Sequence, residues 1–233
     1  MPDVNLAKGA QLAGLTALSV LTVVLVVLAM TRSVATTAEA SAPLTPVAEE
    51  DTATVVSVLG DGHVLAEGSW FYRAIPAEDG GPVERGVVLA EEDARARSLE
   101  SRLDQVVAGD IVMIAAGAVD VSLGEPAPEI VADIKVLVRG VRERDATPVL
   151  VLVPPSNERG FLTKLVNRKL SAYGERRDIA VLDIFSPVAT TPGRWLKRYT
   201  DDGEYANPEG AARQAQVVID RLDWLMLAQQ QAA

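Results

Sequence analysis

No cysteine occurs in this chain of 233 residues, which excludes disulfides, thiolate zinc sites and an acylated lipoprotein cysteine. Histidine is almost absent too, since His63 is the only one, and any imidazole chemistry must run through it. Aromatic residues make up 4%, so the core has to be built on Val, Leu, Ile and Ala. Positive charge is scarce: 22 Lys and Arg stand against 32 Asp and Glu. The net charge of -10 argues against nucleic acid as a partner, because phosphate binding needs a basic face. What remains, 48% hydrophobic residues, suffices for one sizeable core plus a tail or anchor.

Charge is missing altogether from residues 12–30, a run rich in Val and Leu. At about 1.5 Å per helical residue it nearly matches a hydrocarbon core of roughly 30 Å, so it reads as one transmembrane helix after a short tail, residues 1–11. The competing reading is a cleaved signal peptide, for which Ser33-Val34-Ala35 and Ala38-Glu39-Ala40 offer small residues at a peptidase spacing. The apolar run exceeds the usual signal core of about 7 to 15 residues, which favours a retained anchor. Lys8 and Arg32 flank it almost evenly and leave orientation to the next segment. Residues 31–51, rich in Ala, Thr, Ser, Pro and Glu, lack apolar periodicity and read as a stalk. The expectation is a single-pass protein of the bacterial cytoplasmic membrane with residues 52–228 as a domain on the outer side; a cytosol-facing linker is the alternative.

Within that domain, residues 55–59, 111–115, 149–153 and 179–183 are short, nearly continuous apolar runs, as in parallel strands covered on both faces. Residues 86–90 add a fifth candidate. Between them, residues 91–107, 129–144, 160–173 and 208–227 carry helical spacing. In the last, Ala212, Ala215, Val218, Ile219, Leu222 and Leu225 recur at three and four residues, with Asn207 as N-cap and Pro208 in the first turn. Alternating strands and helices predict a three-layer α/β domain with a parallel sheet. Residues 229–233 form a low-complexity tail.

The turn Gly60-Asp61-Gly62-His63 follows the first strand directly and has the form of a hydrolase nucleophile turn with glycine in the serine's place. Gly117-Ala118-Val119-Asp120 follows a later strand, and the stretch from Asp202 through Tyr205 and Asn207 to Gly210 precedes the last helix. Together these blocks resemble those of the SGNH (GDSL-type) hydrolases. The resemblance spans nearly the whole domain and implies a flavodoxin-like three-layer fold, with the site at the carboxyl ends of the strands. It also implies hydrolysis of lipid, acyl or acetylated-sugar esters.

Position by position, the resemblance implies a degenerate member. Gly62 stands where the family has its nucleophilic serine, Val119 where it has an oxyanion asparagine, and Tyr205 where it has the histidine base. Leu89 aligns with the family's oxyanion glycine, and Asp202 alone of the triad remains. A glycine cannot form an acyl intermediate, and a phenol with a pKa of about 10 is a poor base at neutral pH.

The remaining residues have two readings each. Asp61 and Asp120 read as carboxylates accepting backbone N–H groups at turns, or as part of a pocket. His63 reads as a rim residue, or as a displaced base activating water with Asp61 or Asp202 orienting it. Trp70, with Phe71 and Tyr72, lines a ligand groove or caps the core. Asn157, after Pro154-Pro155-Ser156, lies on a rim loop of the kind where open α/β sheets bind ligands. The segment Arg194, Trp195, Lys197 and Arg198 reads as a solvated loop or as a seat for an anionic or glycan partner. No spacing of ligands supports a metal, and no cofactor motif occurs. The function classes are a catalytically inactive binding or accessory subunit with a protein or envelope-glycan partner, an unconventional esterase or acetyl hydrolase using His63, and a structural subunit of a membrane complex.

Overall fold

The computed structural model describes residues 53–66, 68–77 and 81–232. The expected span 12–30 and stalk 31–51 lie outside the described residues. Among those described, no helix is long and apolar enough to cross a membrane.

Five strands form one sheet: β1 (Thr54–Gly60), β2 (Val83–Ala90), β3 (Ile111–Ala115), β4 (Thr147–Val151) and β5 (Val181–Leu182). All pairings are parallel, in the order β2-β1-β3-β4-β5. The period of two along each strand sorts the core into two layers. Leu59, Val112, Ile114 and Leu150 face a layer made by a 3-10 segment (Ala96–Gln105), α4 (Ala127–Arg142) and α5 (Gly160–Arg177). Val56, Val58, Met113 and Val151 face the other layer. That layer holds α1 (Gly62–Leu65), α2 (Trp70–Ala74), α6 (Pro208–Ile219) and α7 (Leu222–Ala232). The short α3 (Ala118–Leu123) follows β3. Successive connections depart in opposite directions from β1 and β3, which opens a crevice at their carboxyl ends.

Several elements differ from the sequence expectation. The helix expected over residues 91–107 is a 3-10 segment that begins only at Ala96. Glu91 and Glu92 are diverted: Glu91 N donates to Gly60 O, and Glu92 O accepts from Gly62 N, so both follow the turn after β1. The strand expected at residues 179–183 pairs only over Val181–Leu182. The last helix breaks at Asp220 and Arg221, although Val218 and Leu225 on either side enter the same core, so the periodicity runs through the break. Ala211, not Ala212, is the buried alanine of its first turn, and α7 extends through Ala232 into the expected tail.

One polar group sits inside β1. Ser57 occupies a register shift between Val56 and Val58, where its hydroxyl donates to Asp110 Oδ2 at 2.5 Å and accepts from Val87 N at 2.9 Å. Burial pushes the Asp110 carboxyl up from its ordinary value, against the Ser57 bond that holds it down. Ser57→Ala leaves both partners unsatisfied in the interior and is expected to cost about 1–3 kcal/mol, read as a lower denaturation midpoint in urea with an unchanged slope.

Candidate functional site

Gly60, the last residue of β1, lies so close to β3 that a Cβ there would approach Ala115 O to 2.8 Å. The chain then turns at Asp61, the N-cap of α1, whose carboxylate is 1% exposed. Asp61 Oδ1 accepts from His63 N at 3.1 Å and Oδ2 from Ala118 N at 3.2 Å, joining the turn after β1 to the start of α3. Gly117 supplies the bend before α3 at φ +108, a conformation that favours glycine. Burial pushes the Asp61 carboxyl up to about 7; the two N–H bonds oppose this, and nearby Asp120 adds to it.

Asp120 is equally buried and holds the opposite wall. Its Oδ2 accepts from Ala96 N at 2.8 Å, which starts the 3-10 segment, and its Oδ1 accepts from Arg95 Nε at 3.3 Å. Arg95 also pairs with Glu125 at 2.8 Å. Asp202 plays a similar part in the loop before α6, where Oδ1 accepts from Glu204 N and Tyr205 N, both at 2.8 Å. Desolvation pushes Asp202 up, but these bonds together with one from Thr200 hold it below the usual carboxylate range.

That loop sets Tyr205 over the turn. Its ring stacks on His63, with centroids 4.5 Å apart and planes at 24°. Its hydroxyl lies 3.2 Å from where a Cβ on Gly62 would be, and Glu92 O lies 2.9 Å from the same point. The position a side chain of residue 62 would take is therefore occupied by a phenol hydroxyl on one side and a carbonyl on the other. The Gly62 N–H donates to Glu92 O at 3.1 Å and so already has an acceptor.

The His63–Tyr205 stack divides the crevice. On the α2 and α6 side is a cavity of about 590 Å³, bordered by Trp70, Arg73, Pro154, Asn207 and Gln214 as well as the stack. On the α3 side, about 290 Å³ opens between Val119, Ser122, Asp93, Arg95 and Glu204. Desolvation pushes the half-buried His63 imidazole down to about 4, outweighing the opposite pull of Glu204 and Asp202. The Tyr205 phenol is pushed up, first by desolvation and then by Asp61, Glu92, Glu204 and Asp93. A neutral imidazole and a protonated phenol therefore face the crevice at neutral pH.

Of the positions singled out in the sequence, Asp61, Gly62, His63, Trp70, Val119, Asp202 and Tyr205 gather at this end of the sheet. Leu89 does not. It is 6% exposed within β2, paired with Leu59 and packed in the core, and the residue that reaches Gly62 is Glu92. Asn157 lines neither cavity: its backbone N–H donates to Gly203 O at 3.0 Å and its Oδ1 accepts from Trp195 N at 3.0 Å, tying two loops together. Trp195 is 3% exposed, with Nε1 donating to Glu204 O, and is unavailable to a partner. Gln214 was missed by the sequence reading, although Ala211, Gln214, Ala215 and Val218 recur at three and four residues and mark it as a polar group on a buried face. Arg95 lies in the run 91–107 that carries helical spacing, which gives no sign of its pairing with Asp120 and Glu125. Among the described residues, no cluster of His, Asp and Glu could hold a metal ion.

Residues 60–213 match the family model for GDSL-like lipases and acylhydrolases. The chain belongs to that family. The GDSL-like fold is shared with a protein described as lipolytic, of the G-D-S-L family, from Desulfitobacterium hafniense (22% identity, 72% of this chain and 98% of that one, TM-score 0.62). It is shared also with a carbohydrate esterase of family 3 from Talaromyces cellulolyticus (15%, 75% and 98%, TM-score 0.61). A third is the psychrotrophic esterase EstA from Pseudoalteromonas sp. (15%, 75% and 99%, TM-score 0.58). Among curated proteins, none matches the chain.

The single histidine makes this GDSL-like site directly testable. Its ring protons should titrate by NMR with a midpoint near 4, and a midpoint near 6.5 would contradict the desolvated stack. A depressed His63 contributes stability that is complete above about 6.5 and lost as pH falls toward 4, while the raised Asp61 contributes stability that is lost as pH rises from 3.8 to about 7. Between about 4 and 6.5 the two oppose each other. His63→Phe keeps a ring in the stack and removes only the first, so its stability relative to wild type should improve by about 2 kcal/mol between pH 7 and pH 4.5 in denaturant titrations.

Proposed function

We propose that this chain is a membrane-anchored, extracytoplasmic GDSL-like domain without esterase activity, acting as a binding or accessory subunit in the bacterial cell envelope. The observation that carries the reading is at Gly62. There is no side-chain atom at residue 62 to act as nucleophile, the Tyr205 hydroxyl stands over the vacant side-chain position, and the Gly62 amide is bonded to Glu92 O. Val119 offers no donor to a developing oxyanion. Losing one such donor costs about 10²- to 10³-fold in rate, and losing a nucleophile or base on the order of 10⁶-fold, effects that overlap yet each end useful turnover by this route. Water activation by His63 is disfavoured because an imidazole held at about 4 is a weak base and its face is covered by Tyr205. The cavity of about 590 Å³ beside the stack remains open for recognition of a protein segment or envelope glycan. Anchoring and outward placement are supported by the uncharged run 12–30 and the Ala/Thr/Pro-rich stretch after it.

The purified chain assayed on short aryl esters should show no turnover above buffer, and turnover abolished by His63→Ala would overturn the reading. Gly62→Ser should gain no activity and lose about 1–3 kcal/mol of stability, because its side chain meets the Glu92 carbonyl and the Tyr205 hydroxyl. Adding Tyr205→His should recover part of that loss, measured by denaturant titration.

A further inference from the structure

Residues 158–198 hold nine Lys and Arg against four Asp and Glu, a local net charge of +5 in a chain of net charge -10. Part of that charge is gathered at one rim of the sheet's carboxyl end. The outward face of α5 carries Phe161, Lys164 and Arg168 at spacings of three and four, all exposed, with Phe161 81% exposed. The next turn packs onto the start of α5: Lys164 Nζ donates to Thr191 O at 2.7 Å, and a Cβ on Gly160 would lie 2.7 Å from Gly193 C, which brings exposed Arg194 alongside. On the other flank, the Arg159 guanidinium lies 3.5 Å from where a Cβ on Gly124 would be, next to Leu123, itself 61% exposed. None of these four cations forms an ion pair among the described residues. Between Asn157 and Gly174 the only carboxylate is Glu158.

A ring four-fifths exposed protrudes into solvent and does not line a groove. Two protruding apolar side chains among unpaired cations match the layered chemistry of an anionic bilayer, with phosphates at the level of the cations and hydrocarbon just below. An acidic protein would satisfy the charges and leave the Phe161 ring unexplained. We infer that the face formed by Leu123, Arg159, Phe161, Lys164, Arg168 and Arg194 docks on an anionic phospholipid surface. The inference rests on the membrane-anchored reading for proximity alone, since a tethered domain meets its own bilayer at high effective concentration.

Because the chain has no cysteine, Phe161→Cys provides a single attachment point for an environment-sensitive fluorophore. Ala212→Cys, exposed on α6 behind the other face of the sheet, provides the control. The full chain is mixed with vesicles of phosphatidylcholine alone or with added phosphatidylglycerol. The probe at residue 161 should shift to the blue only when phosphatidylglycerol is present, and the probe at 212 should not shift. Lys164→Glu with Arg168→Glu should reduce the shifted fraction by about tenfold or more, with melting temperature unchanged, and added salt should reduce it as well. Flotation reads the anchor separately. A chain that floats with both vesicle types but shows no shift at 161 overturns the docking face and leaves the anchor standing. A chain that does not float with phosphatidylcholine lacks the anchor, and the shift at 161 on phosphatidylglycerol vesicles still decides the face. An equal shift on phosphatidylcholine, or a shift produced by soluble polyglutamate, overturns the inference.

Discussion

The crevice depends on one buried carboxylate. Asp61 sits where the sheet's connections diverge, and its two oxygens accept one N–H from the turn after β1 and one from the start of α3. Without it, two orphan donors at helix starts would face each other across the switch point, each lacking water to satisfy it. Its desolvation is the reason its pKa rises to about 7, so the group that fixes the geometry is also poised near neutrality. Asp120 repeats the device one step out, capping the 3-10 segment from α3. Both carboxylates hold backbone, and neither projects into open space.

With the two strand ends fixed, the loop before α6 determines what fills the gap between them. Asp202 gathers the N–H groups of Glu204 and Tyr205, and this sets the Tyr205 ring flat on His63 with its hydroxyl over Gly62. These residues are complementary to one another. Glycine at residue 62 leaves the room that the phenol and the Glu92 carbonyl take up, and the stack in turn desolvates His63. A serine would not fit beneath this tyrosine without movement of the Glu92 backbone. The stack also splits one crevice into two cavities, and a ligand on the α2 and α6 side meets Gly62 together with one side of the stack.

Much of the fold was legible because parallel strands covered on both faces must be apolar along their length; β3 has the bounds its run of Ile, Val, Met, Ile and Ala indicates. The 3-10 segment reads as an α-helix because Ala96, Leu99 and Leu103 recur at three and four residues, while its true start depends on a distant carboxylate, Asp120. Leu89 was misplaced for a related reason. Leu89 lies within β2, where Gly86 leaves room for the Ser57 hydroxyl, and the residue that reaches the turn lies beyond the strand's end at Glu92. Asn157 and Trp195 stand on separate loops, yet the Asn157 side chain bonds the Trp195 backbone, a pairing 38 residues apart that no local pattern reveals.

The family's blocks separate into two physical classes in this chain. Gly60, Asp61, Gly117, Asp120, Asp202 and Asn207 each meet a backbone requirement: a close approach, a positive φ, or a set of N–H groups needing an acceptor. Val119 and Tyr205 face the crevice and carry no comparable duty toward the fold, whereas Gly62 faces it and also meets a close approach, since a Cβ there would lie 2.9 Å from Glu92 O. Folding alone maintains the first class, because removing a buried acceptor costs on the order of 1–3 kcal/mol against a total stability of only about 5–15. At the crevice packing is the constraint, and the His63–Tyr205 stack supplies it. The hydrolase family's outline in this chain therefore rests on the physics of its turns, which also place the side chains at the mouth of the sheet.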